Sequence, residues 1–423
     1  MSKLNALAFV ILVAACGGGN ATDPDGGGGG GDGGGSDGNG DGRPPTTNGG
    51  YVVAGTQAAL VGNGTTFTEL FDVPALGTSS SGVAVAVNTQ GDYVIAGTLT
   101  AIVGNGTTFT ELFDVPTIGT SSSRVDVAIN EAGDYVIAGN VSVLVGKGTT
   151  YTALFDPPTL GTSSSGVAVA MNADGNYIAA GVSAVIVGKG TSFTQLTAAP
   201  ALGTSSSSVD AAITPTGDYV AAGVSAVIVG KGTSFTQLTA TPTLGTSASG
   251  VGVAMNGAGN YVVGGNSASI AGKGTTFTTL GIGGLGTSAC RMGVAMNGDG
   301  KFVISGNTGV AVGMGTTATE LSTAPSLGTS SSGVDTAINA SGDYIAAGNS
   351  AVIVGNGSAF DELFGVPTLG SSANGVAAAI NDAGDHVAAG DLTVIVGKGT
   401  SFTELFDVPV LGTSSSTVSA AIR

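Results

Sequence analysis

The stretch GDYVIAGTLTAIVGNGTTFTELFDVPTIGTSSSRVDVAINEA, residues 91–132, is one copy of a unit that recurs along almost the whole chain. One position marks its register: Tyr51, Tyr93, Tyr135, Tyr177, Tyr219, Tyr261, Phe302, Tyr344 and His386 follow one another at 42 residues, with a single step of 41 from Tyr261 to Phe302. Within the array, GVSAVIVGKGTSFTQLTA stands at 181–198 and again at 223–240. A fixed period of this length is the signature of stacked supersecondary units that bury their apolar faces on one another.

Each unit offers four short strands. In one copy they are Val125–Ile129, Tyr135–Ala138, Val143–Val145 and Thr150–Leu154, rich in β-branched residues and bounded by Gly and Asn. Asn130-Glu131-Ala132-Gly133 has the Asn-first, Gly-fourth preference of a type I turn, and Gly146-Lys147-Gly148 tolerates positive φ between the third and fourth strands. The middle strands are apolar on both faces, as in Ala184-Val185-Ile186-Val187, so both faces must be covered. Radial stacking of four-stranded blades covers them. The predicted fold is therefore an all-β propeller of nine blades of about 42 residues. Outer-membrane barrel strands need about 9–11 residues, and these are too short.

The repeats open on a second strand (Gly50–Ala54) and finish on a first strand (Val418–Ile422). Pairing those two would complete one blade from both ends of the chain and close the ring. The hairpin stretch Leu60-Val61-Gly62-Asn63-Gly64-Thr65-Thr66-Phe67 resembles a degraded Asp-box, the repeat of sialidase-type propellers. It keeps the Gly and Thr, has Phe for Trp, and lacks the Ser and Asp. The resemblance implies the propeller fold and, as an alternative function, a degenerate hydrolase or lyase.

Residues 49–423 form the propeller in this reading, and two segments precede it. MSKLNALAFVILVAAC has a lysine, a short apolar run and small residues before Cys16. Its ending Leu12-Val13-Ala14-Ala15-Cys16 resembles the lipobox of bacterial lipoproteins. That resemblance implies a signal peptide over 1–15, lipidation of Cys16, and, with Gly17 next, an outer-membrane anchor. Residues 16–48 are a Gly- and Asp-rich tether that cannot fill a core and spans roughly 30 Å. Asp37–Gly42 matches half of a calcium loop, but Asn48 stands where the closing Glu belongs, so no metal is expected.

Charge narrows the function. Only 9% of residues are charged, and the net charge is −17, which excludes a phosphate-backbone partner such as nucleic acid. Chemistry is sparse, and no cofactor is implied. His386 is the only histidine, so it has no second imidazole with which to hold a metal and reads as a packed or edge residue. Cys290 lies where other units have Ser, as in Ser81, and reads as a small packed residue. Asp126, Asp210 and Asp335 share one inner-strand position on non-adjacent blades, too dispersed for an acid–base pair; they read as solvated channel residues. Arg124, Arg291 and Arg423 do not form the arginine cluster a sialidase requires.

One constellation is sharper. Phe71-Asp72, Phe113-Asp114, Phe155-Asp156 and Phe406-Asp407 occupy one position, with Phe364-Gly365 as a near match. In a closed ring these units are neighbours. They form either a binding sector for a protein or glycan, or phenylalanines packed between blades. Lys147, Lys189, Lys231, Lys273 and Lys398 fall on the opposite face, with both termini. They read as solvated loop tips, with anionic lipid or polysaccharide as the alternative contact. The expected function is that of an envelope lipoprotein, held to the membrane by its lipid and acting as a non-catalytic binding or scaffolding module.

Overall fold

A computed structural model describes residues 50–423, apart from 288–289, 330–332, 372–374 and 414–415. The signal segment, the tether and Cys16 lie outside the described residues. Nine four-stranded antiparallel sheets follow one another, their innermost strands touching in cyclic order. In blade three the strands, from axis to rim, are Asp126–Ile129, Asp134–Ala138, Val143–Lys147 and Thr150–Ala153. These agree with the sequence reading to within two residues.

Blade one is assembled from both ends of the chain. Gly50–Ala54, Ala59–Asn63 and Thr66–Glu69 come from the start. The innermost strand, Ser419–Ile422, pairs with the first of these, Tyr51 opposite Ile422 and Ala54 opposite Ser419. The remaining blades are numbered two to nine in chain order. The described structure is a closed nine-bladed β-propeller.

Blades pack because strands two and three carry Val, Ile and Ala to both sides. Ala128 and Val136 of blade three share one cluster with Val169 and Tyr177 of blade four, and the pattern repeats around the ring. Every blade also repeats a cross-strand row, such as Tyr93 opposite Gly104 and Gly104 opposite Phe109. The glycine is required here: a Cβ on Gly104 would lie 2.4 Å from both the Tyr93 hydroxyl and the Thr108 carbonyl oxygen. Its absence lets the tyrosine ring lie across the third strand.

Polar residues of the repeat tie the blades together. On one face, threonine hydroxyls donate to the next blade's carbonyls, as from Thr78 to Ser121 at 2.6 Å, and Thr413 to Ser79 at 2.7 Å joins the last connection to the next. On the other face, side-chain amides do the same, as from Asn297 to the Asn339 carbonyl at 3.3 Å and from Asn381 to the Arg423 carbonyl at 3.1 Å. The first is the loop face, where the long connections run. The second is the lysine face, with the Gly-Lys-Gly tips, Gly50 and Arg423.

Candidate functional site

At the axis the structure corrects the reading of the aspartates. Asp126, Asp210 and Asp335 are buried rather than solvated. Each carboxylate accepts two backbone N–H groups, one from its own strand and one from the next blade. Val127 and Val169 donate to Asp126 at 2.8 and 2.7 Å, Ala211 and Val253 to Asp210 at 2.9 and 2.8 Å, and Thr336 and Ala378 to Asp335 at 2.9 and 3.1 Å. An innermost strand exposes N–H groups with no further strand to pair them, and burying them unpaired is costly. One carboxylate serves two blades, which accounts for the wide spacing. Ser419 reaches Val85 N–H in the same way between blades one and two. Burial pushes the Asp335 carboxyl up to about 8, against its two N–H donors and Arg291 and with a small addition from Asp210.

Just before each inner strand, backbone bridges link neighbouring blades in a belt, Arg124 with Gly166 and Arg291 with Gly333 among them. Gly82 and Gly166 flank Arg124, and Gly250 and Gly333 flank Arg291. A Cβ on Gly82 would meet the Arg124 side chain at 2.8 Å, so the small neighbours make room for the large ones. Arg291 is buried, its Nε and Nη1 have no hydrogen-bond partner among the described residues, and burial lowers its pKa to about 9. His386 and Cys290 are packed, as expected. His386 lies over Gly397 in place of tyrosine, and burial lowers its pKa to about 4. Cys290 is fully buried, its thiol pushed up to about 11 by burial.

The phenylalanines do not pack between blades. Phe71, Phe113, Phe155, Phe364 and Phe406 are 72–92% exposed, at the rim of the loop face, on blades eight, nine, one, two and three. The residue after each takes positive φ, from 52° to 61° at Asp72, Asp114, Asp156 and Asp407 and 77° at Gly365. Aspartate tolerates that left-handed turn better than most residues, so part of its role is to aim the phenylalanine outward. Tyr151 donates to the Phe113 carbonyl at 2.6 Å and steadies one of these turns.

The sector is larger than these pairs. Leu392, Leu99 and Val141 occupy the turn between strands two and three in blades nine, two and three, and are exposed on the same face, as is Val410 on the connection from blade nine to blade one. Ser183, Ser225, Ser267, Thr308 and Ser350 hold that turn position in blades four to eight. Of the large exposed apolar side chains among the described residues, only Met314 lies outside the sector.

No family model and no curated protein matches the chain. Solved structures are similar at the level of architecture. The chain resembles virginiamycin B lyase from Staphylococcus aureus with 13% identity and a TM-score of 0.43, covering 73% of this chain and 90% of that one. It is similar to YCF48 bound to D1 peptide at 14% and 0.38, over 66% and 91% of the two chains. The GH74 xyloglucanase from Xanthomonas campestris gives 11% and 0.32, over 82% and 68%. Likeness this distant bears on no activity; the propeller assignment rests on the strand pairing itself.

On the lysine face the tips are partly neutralised within their own blades. Lys147 pairs with Asp134 at 3.5 Å, Lys231 with Asp218 at 3.4 Å and Lys398 with Asp385 at 3.5 Å, each a directly opposed cross-strand partner. Open clefts repeat between blades on this side, floored by tyrosine or His386 and edged by the Gly-Lys-Gly tips. They recur wherever two blades splay apart.

Sequence reasoning missed Leu392, Leu99 and Val141 because each sits at a turn position that Ser, Thr or, in blade one, Gln57 fills elsewhere. The signal was available: all three depart from the repeat in units that also carry Phe, although blades eight and one carry Phe with Ser350 and Gln57 at the turn.

Proposed function

We propose that this chain is a membrane-anchored envelope lipoprotein whose propeller is a non-catalytic binding module, and that the apolar arc on the loop face is its contact surface for a protein or glycan. The observation that carries this reading is that, among the described residues, every large exposed apolar side chain except Met314 on the opposite face lies on five adjacent blades or the connection between two of them. Soluble domains rarely leave contiguous apolar patches uncovered without use. The sector straddles the ring closure, so it joins residues from both ends of the sequence. Gly50 lies on the lysine face, so a tether lipidated at Cys16 would leave from there and turn the arc away from the membrane. The commitment of Asp126, Asp210 and Asp335 to backbone N–H groups favours binding over the alternative of a hydrolase or lyase.

The test is retention of envelope material on the immobilised full-length protein, compared with Phe71→Ala, Phe113→Ala and Phe406→Ala combined. These side chains are exposed, so the unfolding midpoint should stay within a few degrees while retention falls at least about tenfold, the loss of roughly 1.4 kcal/mol or more. Retention unchanged in a stable variant would remove the arc as the contact surface.

A further inference from the structure

Resting on the reading that the arc is a contact surface, we infer that its partner is a basic, apolar polypeptide segment. Within the loop face, the apolar arc also carries most of the acidic side chains. The outer strand ends in half-buried Glu362, Glu404, Glu69 and Glu111 on blades eight, nine, one and two, of which Glu111 and Glu404 accept from Thr100 and Thr393 at 3.2 Å, and Asp361 adds an exposed carboxylate on blade eight. The aspartates that follow the phenylalanines stand beside them, all exposed. Blades four, five and six, built on the same repeat, carry Gln195, Gln237 and Thr279 at the strand end and Thr197, Thr239 and Gly281 at the phenylalanine position. Blade seven keeps Glu320 at the strand end with Ser322 at the phenylalanine position, and blade three has Ala153 before Phe155-Asp156, so acid and phenylalanine overlap over most of the arc without coinciding blade by blade.

Basic residues avoid this surface. Among the described residues, Lys147, Lys189, Lys231, Lys273, Lys398, Lys301 and Arg423 belong to the lysine face, and Arg124 and Arg291 to the axial belt. The arc is thus apolar and of one sign. It repels phosphate, sulfated or carboxylated polymers, and a neutral glycan, though its hydroxyls could donate to the carboxylates, would leave their charge uncompensated. A chain presenting Lys or Arg between aliphatic side chains matches both features. Its aliphatic groups cover Phe and Leu, and its cations meet the carboxylates and the faces of the exposed rings.

The experiment uses the full-length protein and three probes: a short peptide alternating Lys and Leu, its Glu and Leu counterpart, and a neutral glucan. A second protein carries Asp72→Asn, Asp114→Asn, Asp156→Asn and Asp407→Asn together. Asparagine keeps the left-handed turn and removes the charge. The Lys–Leu peptide is expected to bind the parent protein and to weaken at least about tenfold between roughly 0.05 M and 0.5 M salt, as screening predicts. It should bind the asparagine variant at least about tenfold more weakly at low salt, with the unfolding midpoint unchanged. Should that variant fold poorly, Glu69→Gln, Glu111→Gln and Glu404→Gln together give the same comparison. Equal binding of the Glu–Leu peptide or of the glucan overturns the inference, and so does Lys–Leu binding that ignores the charge variants. Retention of envelope material that needs the phenylalanines yet survives the asparagine variant would leave the arc as a contact surface and dismiss only the basic partner. Retention indifferent to the phenylalanines would dismiss both.

Discussion

His386 shows how a single residue can depart from the repeat without disturbing it. It takes the place of tyrosine over Gly397, fully packed, and burial holds its pKa near 4. The unfolded chain takes up that proton near the ordinary value of 6.5, while the folded chain resists. Stability from this residue is therefore present above 6.5 and lost as pH falls toward 4, by about 3 kcal/mol in all. His386→Tyr restores the repeat and should flatten the acid limb of the unfolding curve relative to the parent, measured by denaturant titration between pH 7 and 4. Asp335 works in the opposite sense. Its carboxyl is raised to about 8 chiefly by burial, so the folded chain keeps a proton that the unfolded chain gives up. Its contribution is complete below about 4 and is lost as pH rises through 8. Asp335→Asn should remove a decline in stability between pH 5 and 9 that the parent shows; an identical slope in both proteins would contradict the assignment.

At the scale of the blade, the row of tyrosine, glycine and phenylalanine predicts a contrast between two glycines two residues apart. Gly104→Ala places a Cβ against the Thr108 carbonyl, which is backbone and cannot step aside, so it should cost about 1–3 kcal/mol. Gly106 has φ of 56° and nothing near its side-chain position, so Gly106→Asn should be close to neutral. Unfolding midpoints of the two variants check the difference. The blade was legible in sequence because its signals are local: strand residues, Asn and Gly in the turns, and a period that repeats each signal nine times. The axial aspartates were misread because their partners, such as Val169 for Asp126, belong to the next blade, and only the ring brings them to 2.7 Å. The phenylalanine positions and their adjacency followed from the period. Their exposure did not, since Phe67 at a nearby position packs against the core while Phe71 stands 72% exposed.

The molecule as a whole is held in a ring by one strand contributed from the far end of the chain. Ser419–Ile422 pairs with Gly50–Ala54, buries Val418, Ala420, Ala421 and Ile422, and brings Arg423 N–H to 3.0 Å from the Gly50 carbonyl. Removing Thr417–Arg423 exposes these side chains and the neighbours they cover, a loss on the order of 10 kcal/mol. For a domain of this size that corresponds to a fall of about 10 °C in the unfolding midpoint. A shorter chain could also lose stability through an unrelated defect, and a circular permutant separates the two explanations. Joining Arg423 to Gly50 by a short glycine linker and opening the chain between Ala132 and Gly133, in the equivalent turn of another blade, keeps every strand pair while moving the ends. The permutant should unfold within a few degrees of the parent, and the truncated chain well below both. Since the apolar arc spans this junction, the permutant should also keep its binding, whereas the chain truncated before Thr417, its ring open at blade one, should lose the alignment of Phe406 with Phe71 and bind less tightly even where it remains folded.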